Sequence, residues 1–401
     1  MKTHVLFGNL ILATYFFLLG TNVMLSVPKL TVFIHGTVGL AIQSINLKEI
    51  LSDTLAPHHK GFQLGIKFRN HPLCEQDQIM VPCGFFEIPS EKIQNYRMGS
   101  ISQEDAPRAL YHIIGAYDDL AQRYWPDRNR KYAVFGWTGL LSARYRVQAA
   151  EELYHALVAY RDACRIQEGC DPEITLIGHS HGGTVALYLA QAEKKFQNNL
   201  QISYVCMLGT PIHQEIVSCI EDQLFKNIIV IYSEGDFIQP HDTFSTREHK
   251  SYRKMADVIN LVDLTQKKSV SRTDILVQVH DDHRRIDHMN MWFLEKSTQI
   301  TNAFGVFPFV IAVPALVHGH SFDPIQHAMR ACIHECINKT CNIEISALRN
   351  NKFTQLFTQH HLEAIFGAAQ ARVEALWIPF EHSRHILINK KNIQILKNIM
   401  A

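Results

Sequence analysis

Short runs of aliphatic and β-branched residues recur along the first three-quarters of the chain. They fall at Leu30–Ile34, Tyr132–Phe135, Ile174–Ile177, Ser203–Leu208, Ile228–Tyr232 and Ile275–Val279. Each run is continuous rather than alternating, the pattern of a strand covered on both faces. Between them, Ala41–Leu51, Pro107–Tyr124, Arg146–Tyr160 and His181–Ala192 carry apolar residues at helical spacing. Asp105 stands where the second of these helices would be capped, and Ser142 lies upstream of the third. Strand and helix in alternation predict an α/β class, with a mostly parallel central sheet flanked by helices.

Three regions depart from this rhythm. The first two predicted strands are separated by far more chain than a crossover needs, so the pattern predicts an inserted subregion at about 60–103, a candidate lid. From Val5 to Pro28 no side chain is charged, and Lys2 and His4 precede the stretch. Residues 1–28 thus read as an export signal or membrane anchor, against the alternative of a buried N-terminal element in a cytoplasmic protein. Beyond residue 300, Ala303–Val317 is uncharged but broken by Pro308 and Pro314, and it reads as a buried or membrane-touching segment. Ile325–Ile337 and Phe353–Ala375 read as amphipathic helices. The expected organisation is therefore a signal or anchor at 1–28, a main domain at 29–300 and a C-terminal helical region at 301–401.

Charge narrows the functional classes. Thirty-nine basic residues against 38 acidic ones leave a formal charge of +1, which gives no electrostatic case for nucleic-acid binding. Nine cysteines leave at least one unpaired in a monomer, although the groups 74/83, 164/170 and 332/336/341 would permit local bridges. The 23 histidines invite a search for metal ligands. His280 and His283 with Asp287 and His288, His318 and His320 with Asp323, and His334 between Cys332 and Cys336 are the candidates. None has the spacing of a closed four-ligand site, so neither a metal nor a cofactor is expected.

The most informative segment is Gly178-His179-Ser180-His181-Gly182-Gly183. It is a G-x-S-x-G sequence, preceded by a strand pattern and followed by a helix pattern. A strand that turns sharply into a helix can hold a serine at its apex, provided small residues on either side let strand and helix approach closely. The serine then stands at a helix N-terminus, where amide groups favour a developing negative charge.

On this motif, residues 29 to about 300 resemble the α/β-hydrolase superfamily, lipase and esterase branch. Thr31-Val-Phe-Ile-His35-Gly36-Thr37 is similar to that family's strand and HG turn. Phe135-Gly-Trp137-Thr-Gly139 and Met207-Leu-Gly209-Thr210-Pro211 fall where its neighbouring strands end. The resemblance implies an α/β-hydrolase fold and a triad in the order serine, acid, histidine. Ser180 is the implied nucleophile. The acid belongs after the strand ending at Tyr232, where Asp236 is favoured and Glu234 is the alternative. The base belongs after the strand ending at Val279, where His288 is favoured over His283 and His280. The backbone amides of His181 and Thr37 are the implied oxyanion hole. The side chains of His179 and His181 read as packing or lining groups. The expected activity is hydrolysis of carboxylic esters, of lipid or acyl type, with possible membrane contact and no nucleic acid. A thioesterase, an amidase or a non-catalytic tethered binding protein are the alternatives.

Overall fold

A computed structural model describes residues 27–37, 83–98, 129–139, 141–242, 250–259, 271–279, 328–333 and 343–347, with His288 and several positions between 111 and 122. Its centre is a mixed, mostly parallel sheet flanked by helices, an α/β arrangement. All six predicted strands are present and lie side by side. They are β1 (Lys29–Ile34), β3 (Arg130–Gly136), β4 (Glu173–His179), β5 (Ile202–Leu208), β6 (Phe225–Tyr232) and β7 (Ser271–Val279). With β2 (Gly84–Ile88), β8 (Ala328–Ile333) and β9 (Ile343–Ala347), the order is β2-β3-β1-β4-β5-β6-β7-β8-β9. The strands from β3 to β8 in that order run parallel, and β2 and β9 close the two edges antiparallel.

The order explains the strand composition. β1 lies between β3 and β4, and Leu30, Val32, Phe33 and Ile34 are all buried. A strand paired on both edges and covered on both faces has no polar side to spend, hence the continuous apolar runs. The helices include α1 (Ser90–Met98), which follows β2, α2 (Ala143–Glu168), and α3 (His181–Phe196), which packs on β4 and β5. α2 packs along α3, and Ala149, Ala150, Leu153, Leu157, Val185 and Leu189 join one core with the sheet. The described positions between 111 and 122 are helical, in keeping with the predicted Pro107–Tyr124 helix, and Ile114 and Tyr117 are buried.

Two expectations change. Part of the predicted insertion is an edge of the main sheet: β2 pairs with β3 from Gly84↔Gly136 to Ile88↔Tyr132, and α1 follows it. An edge strand with exposed Phe86 and Glu87 shows neither the continuous nor the strictly alternating pattern, so the sequence does not announce it. The predicted helix at Ile325–Ile337 is replaced by β8, which pairs in parallel with β7 from Asp274↔Ala328 to Val279↔Ile333. The run Ala328-Met-Arg-Ala-Cys-Ile333 suits either structure by periodicity, and pairing with the open edge of β7 decides it. The region after residue 300 is thus not wholly helical and contributes to the sheet.

Cys164, Cys170, Cys206 and Cys219 form no disulfide, so the 164/170 bridge that the spacing would permit is absent. Among the described residues no helix is long and apolar enough to cross a membrane. Residues 1–26, Ala41–Leu51, Ala303–Val317 and Phe353–Ala375 lie outside the described residues, as do His280, His283, His318 and His320.

Candidate active site

β4 runs directly into α3, and Ser180 is the single residue between them. Its backbone has φ 51° and ψ −131°, a region that costs a residue with a Cβ about 1–3 kcal/mol. Two hydrogen bonds hold it there: the Ser180 N–H donates to the Leu208 carbonyl at 2.9 Å, and Gly183 N–H donates to the Ser180 carbonyl at 3.0 Å. The turn also demands close approach. A Cβ on Gly178 would lie 2.5 Å from the Gly183 nitrogen, and one on Gly36 would lie 2.8 Å from the Ser180 Cβ. The sequence pattern around Ser180 is therefore met by local geometry, and the loop after β1 is pressed against the serine. Ser180 is 2% exposed, and its Oγ has no hydrogen-bond partner among the described residues.

The loop after β1 is itself fixed. His35 Nδ1 donates to the Gly36 carbonyl at 2.6 Å, which leaves Nε2 to accept the Trp137 backbone N–H at 3.0 Å. The Trp137 indole N–H donates to the His35 carbonyl at 2.8 Å, and the two rings stack. Both residues are fully buried. The His35-Gly36 and Gly136-Trp137 segments, singled out separately in the sequence, are thus one assembly that holds Gly36 beside Ser180.

The candidate acid and base are bonded to each other. At the end of β6, the Asp236 carboxylate is completely buried, whereas Glu234 is exposed. Asp236 Oδ1 accepts the N–H groups of Ile238 and Gln239 at 2.9 and 3.0 Å. Its Oδ2 accepts His288 Nδ1 at 2.7 Å, across 52 residues of sequence. The Arg253 guanidinium donates to the Asp236 carbonyl at 2.9 Å and braces the loop from outside. A histidine that gives Nδ1–H to a carboxylate keeps Nε2 as its basic nitrogen. Of the two candidate acids, Asp236 is the buried one and bonds a histidine, whereas Glu234 is exposed. His288 is the histidine brought to it.

His288 is also tied to the serine turn. His179 Nε2 lies 3.0 Å from the His288 carbonyl, and the two ring centroids are 4.9 Å apart. Burial drives the His179 pKa well below 6.5, so this ring is neutral.

A second buried cluster was not legible in the sequence. Asp242 Oδ2 lies 2.9 Å from His181 Nε2 and 3.0 Å from His213 Nε2. The two imidazoles hold the Asp242 carboxyl well below the usual carboxylate range against the opposing effect of burial, so it is ionised and accepts from both. Burial pushes the His181 pKa down to about 4, which leaves its ring neutral. Three segments converge here: the start of α3, the loop after β5 and the acid loop. Gln239 adds a third tie, its amide donating to the Thr210 carbonyl at 2.9 Å. The Asp242 contacts join residues 29 and 61 positions apart, and no local pattern encodes them.

No protein-family model, curated protein or solved structure matches this chain. Among the described residues no group of three or more histidine, cysteine and acidic side chains could hold a metal ion. A polar cavity of about 260 Å³, lined in part by Arg97, Asp118, Arg130 and Lys131, sits at the β2–β3 edge and shares no residue with the serine cluster. What the serine cluster offers chemically is a strained serine at a helix start and a carboxylate-bound imidazole whose backbone carbonyl is bonded to the residue before that serine.

Proposed function

We propose that this protein is a serine hydrolase of the α/β-hydrolase fold, cleaving carboxylic esters, with Ser180, His288 and Asp236 as its triad. One observation carries the reading. The residue at the strained strand–helix apex is a serine, and the histidine anchored beside that apex is the one bonded to a fully buried aspartate. The order of the three in the chain is the one the resemblance implied.

The chemistry follows from those roles. His288 Nε2 takes the Ser180 proton as Oγ attacks the ester carbonyl. Asp236 keeps Nδ1 protonated and stabilises the imidazolium that forms. The amides of His181, at the start of α3, and of Thr37, in the loop braced by His35 and Trp137, receive the oxyanion. His288 then protonates the leaving alkoxide, and water, activated by the same imidazole, releases the acid from the acyl-enzyme. Among the described residues Ser180 Oγ has no hydrogen-bond partner, and catalytic bonds of this kind commonly tighten only when substrate is bound. Phe237 and Ile238, 66% and 48% exposed, directly follow Asp236 and suit an apolar acyl chain, which supports lipid or acyl esters as the substrate class.

Labelling with a fluorophosphonate probe tests the reading. The wild type is expected to label covalently and Ser180→Ala to remain unlabelled while still folded. A panel of ester, thioester and amide substrates with short and long acyl chains then assigns the bond and the chain length. A folded wild type that neither labels nor turns over any of these would leave a non-catalytic binding protein as the better account.

A further inference from the structure

We infer that His179 is a positioning residue for the base: it holds the backbone of His288 so that the imidazole is presented to Ser180. The inference rests on the serine-hydrolase reading and gives a role to a side chain that the sequence marks only as a packing or lining group.

A catalytic histidine must be fixed at both its ring and its backbone, because a shift of about 1 Å can cost about 100-fold in rate. Asp236 fixes the ring through Nδ1 at 2.7 Å. The backbone is fixed by His179, whose Nε2 stands 3.0 Å from the His288 carbonyl. A carbonyl only accepts, so His179 must carry its proton on Nε2. The donor comes from the residue immediately before the nucleophile, and it therefore references the base to the serine rather than to a distant part of the sheet. Gly36 closes the other side, since a Cβ there would lie 3.1 Å from His179 Nδ1. The ring has little room to swing away.

The choice of residue is also electrostatic. The His288 ring, 4.9 Å away, becomes a cation during the reaction. A lysine or arginine making the same bond would place a second positive charge beside it and disfavour proton uptake. A buried imidazole, held neutral, donates the hydrogen bond without that repulsion.

The test compares His179→Gln, whose amide nitrogen reaches the place of Nε2, with His179→Leu, which fills space but donates nothing. Both are assayed with p-nitrophenyl butyrate after urea unfolding has shown that they are folded. The expected result is a kcat about 10- to 100-fold lower for His179→Leu with KM within about twofold, and recovery to within about threefold of wild type in His179→Gln. If His179→Leu does not fold, His179→Asn serves in its place, because its shorter amide cannot reach the carbonyl. Wild-type kcat in the non-donating variant, or an equal loss in His179→Gln, would overturn the inference and leave His179 as packing. Failure of the underlying reading looks different: the wild type itself would then neither hydrolyse the ester nor take the fluorophosphonate label.

Discussion

Replacing Ser180 separates the site from the fold, because this residue carries a stability cost that an inactive replacement removes. Two terms can be worked from the structure. Its backbone, at φ 51° and ψ −131°, stores about 1–3 kcal/mol for any residue with a Cβ. Its Oγ is buried with no partner among the described residues, a desolvation cost of about 1–3 kcal/mol. Ser180→Ala relieves only the second and is expected to stabilise the fold by about 1 kcal/mol. Ser180→Gly relieves both, less about 0.5–1 kcal/mol for the greater freedom of glycine in the unfolded chain, and should gain about 2 kcal/mol. The cavity left by Cβ is small, because the Gly36 backbone comes so close that a Cβ added there would lie 2.8 Å from the Ser180 Cβ. The order of stability is therefore Gly above Ala above wild type, with both variants inactive. Urea midpoints at pH 7.5, at unchanged slope, measure it. A glycine variant less stable than the alanine variant, or a wild type more stable than both, would refute the claim that a functional requirement holds this serine in a strained place.

The Asp242 cluster makes a graded prediction: Asp242→Ala strands two buried imidazole N–H groups and should cost about 3–5 kcal/mol, whereas Asp242→Asn keeps one acceptor and should cost about 1–3 kcal/mol, with equal urea midpoints for the two variants counting against the role assigned to the carboxylate. Acid should weaken the fold as well: His179 and His181 are held neutral while the unfolded chain takes up protons near pH 6.5, so stability is full above that pH and falls between 6.5 and about 4, and His179→Gln should flatten the slope in a pH series of urea midpoints. Asp242, held far below 3.8, adds its own loss only at still lower pH. Phe237→Ser with Ile238→Ser should lower kcat/KM about tenfold for long-chain esters and leave short-chain esters unchanged, which an acyl-length series would detect.

Strand by strand, the central sheet could be read from the chain because burial on both faces leaves one solution for composition. β1, β3, β4, β5, β6 and β7 all lie where continuous apolar runs predict them. The edges could not be read so, because an edge strand answers to its neighbour more than to its own pattern. Nothing in Gly84-Phe-Phe-Glu-Ile88 demands a strand until β3 offers a partner, and the run at Ala328–Ile333 fits a helix until β7 leaves an edge to pair. The same distinction separates α2, whose apolar spacing is intrinsic, from its ends. It runs to Glu168 and stops at Gly169, at φ 72°, eight residues past the last residue the spacing marks.

The candidate site divides along the same line. Ser180 was legible because its requirement is local: a Cβ at Gly178 would strike the backbone of Gly183, and that collision is written into six consecutive residues. Asp236 and His288 were legible only through an order of residues borrowed from a resemblance, and the bond between them at 2.7 Å joins two loops that neither loop's sequence describes. His179 and Asp242 were present in the sequence as residues but not as partners. What makes them matter is the parallel order β4-β5-β6-β7, which brings the ends of four strands to one edge and so sets His179, before the serine, against His288, and Asp242, six residues past Asp236, against His181, after the serine. Each loop then constrains another: His179 holds the base loop, and Asp242 holds the start of α3 and the β5 loop from the acid loop. A substitution in any one should be felt at the serine through a bond whose other end lies in a different loop, and the double variant of His179→Leu with Asp242→Asn should show whether the two bonds act on Ser180 independently. Additive losses in kcat would mean separate positioning of base and serine turn, and a combined loss no larger than either alone would mean that both act through one movement of the elbow.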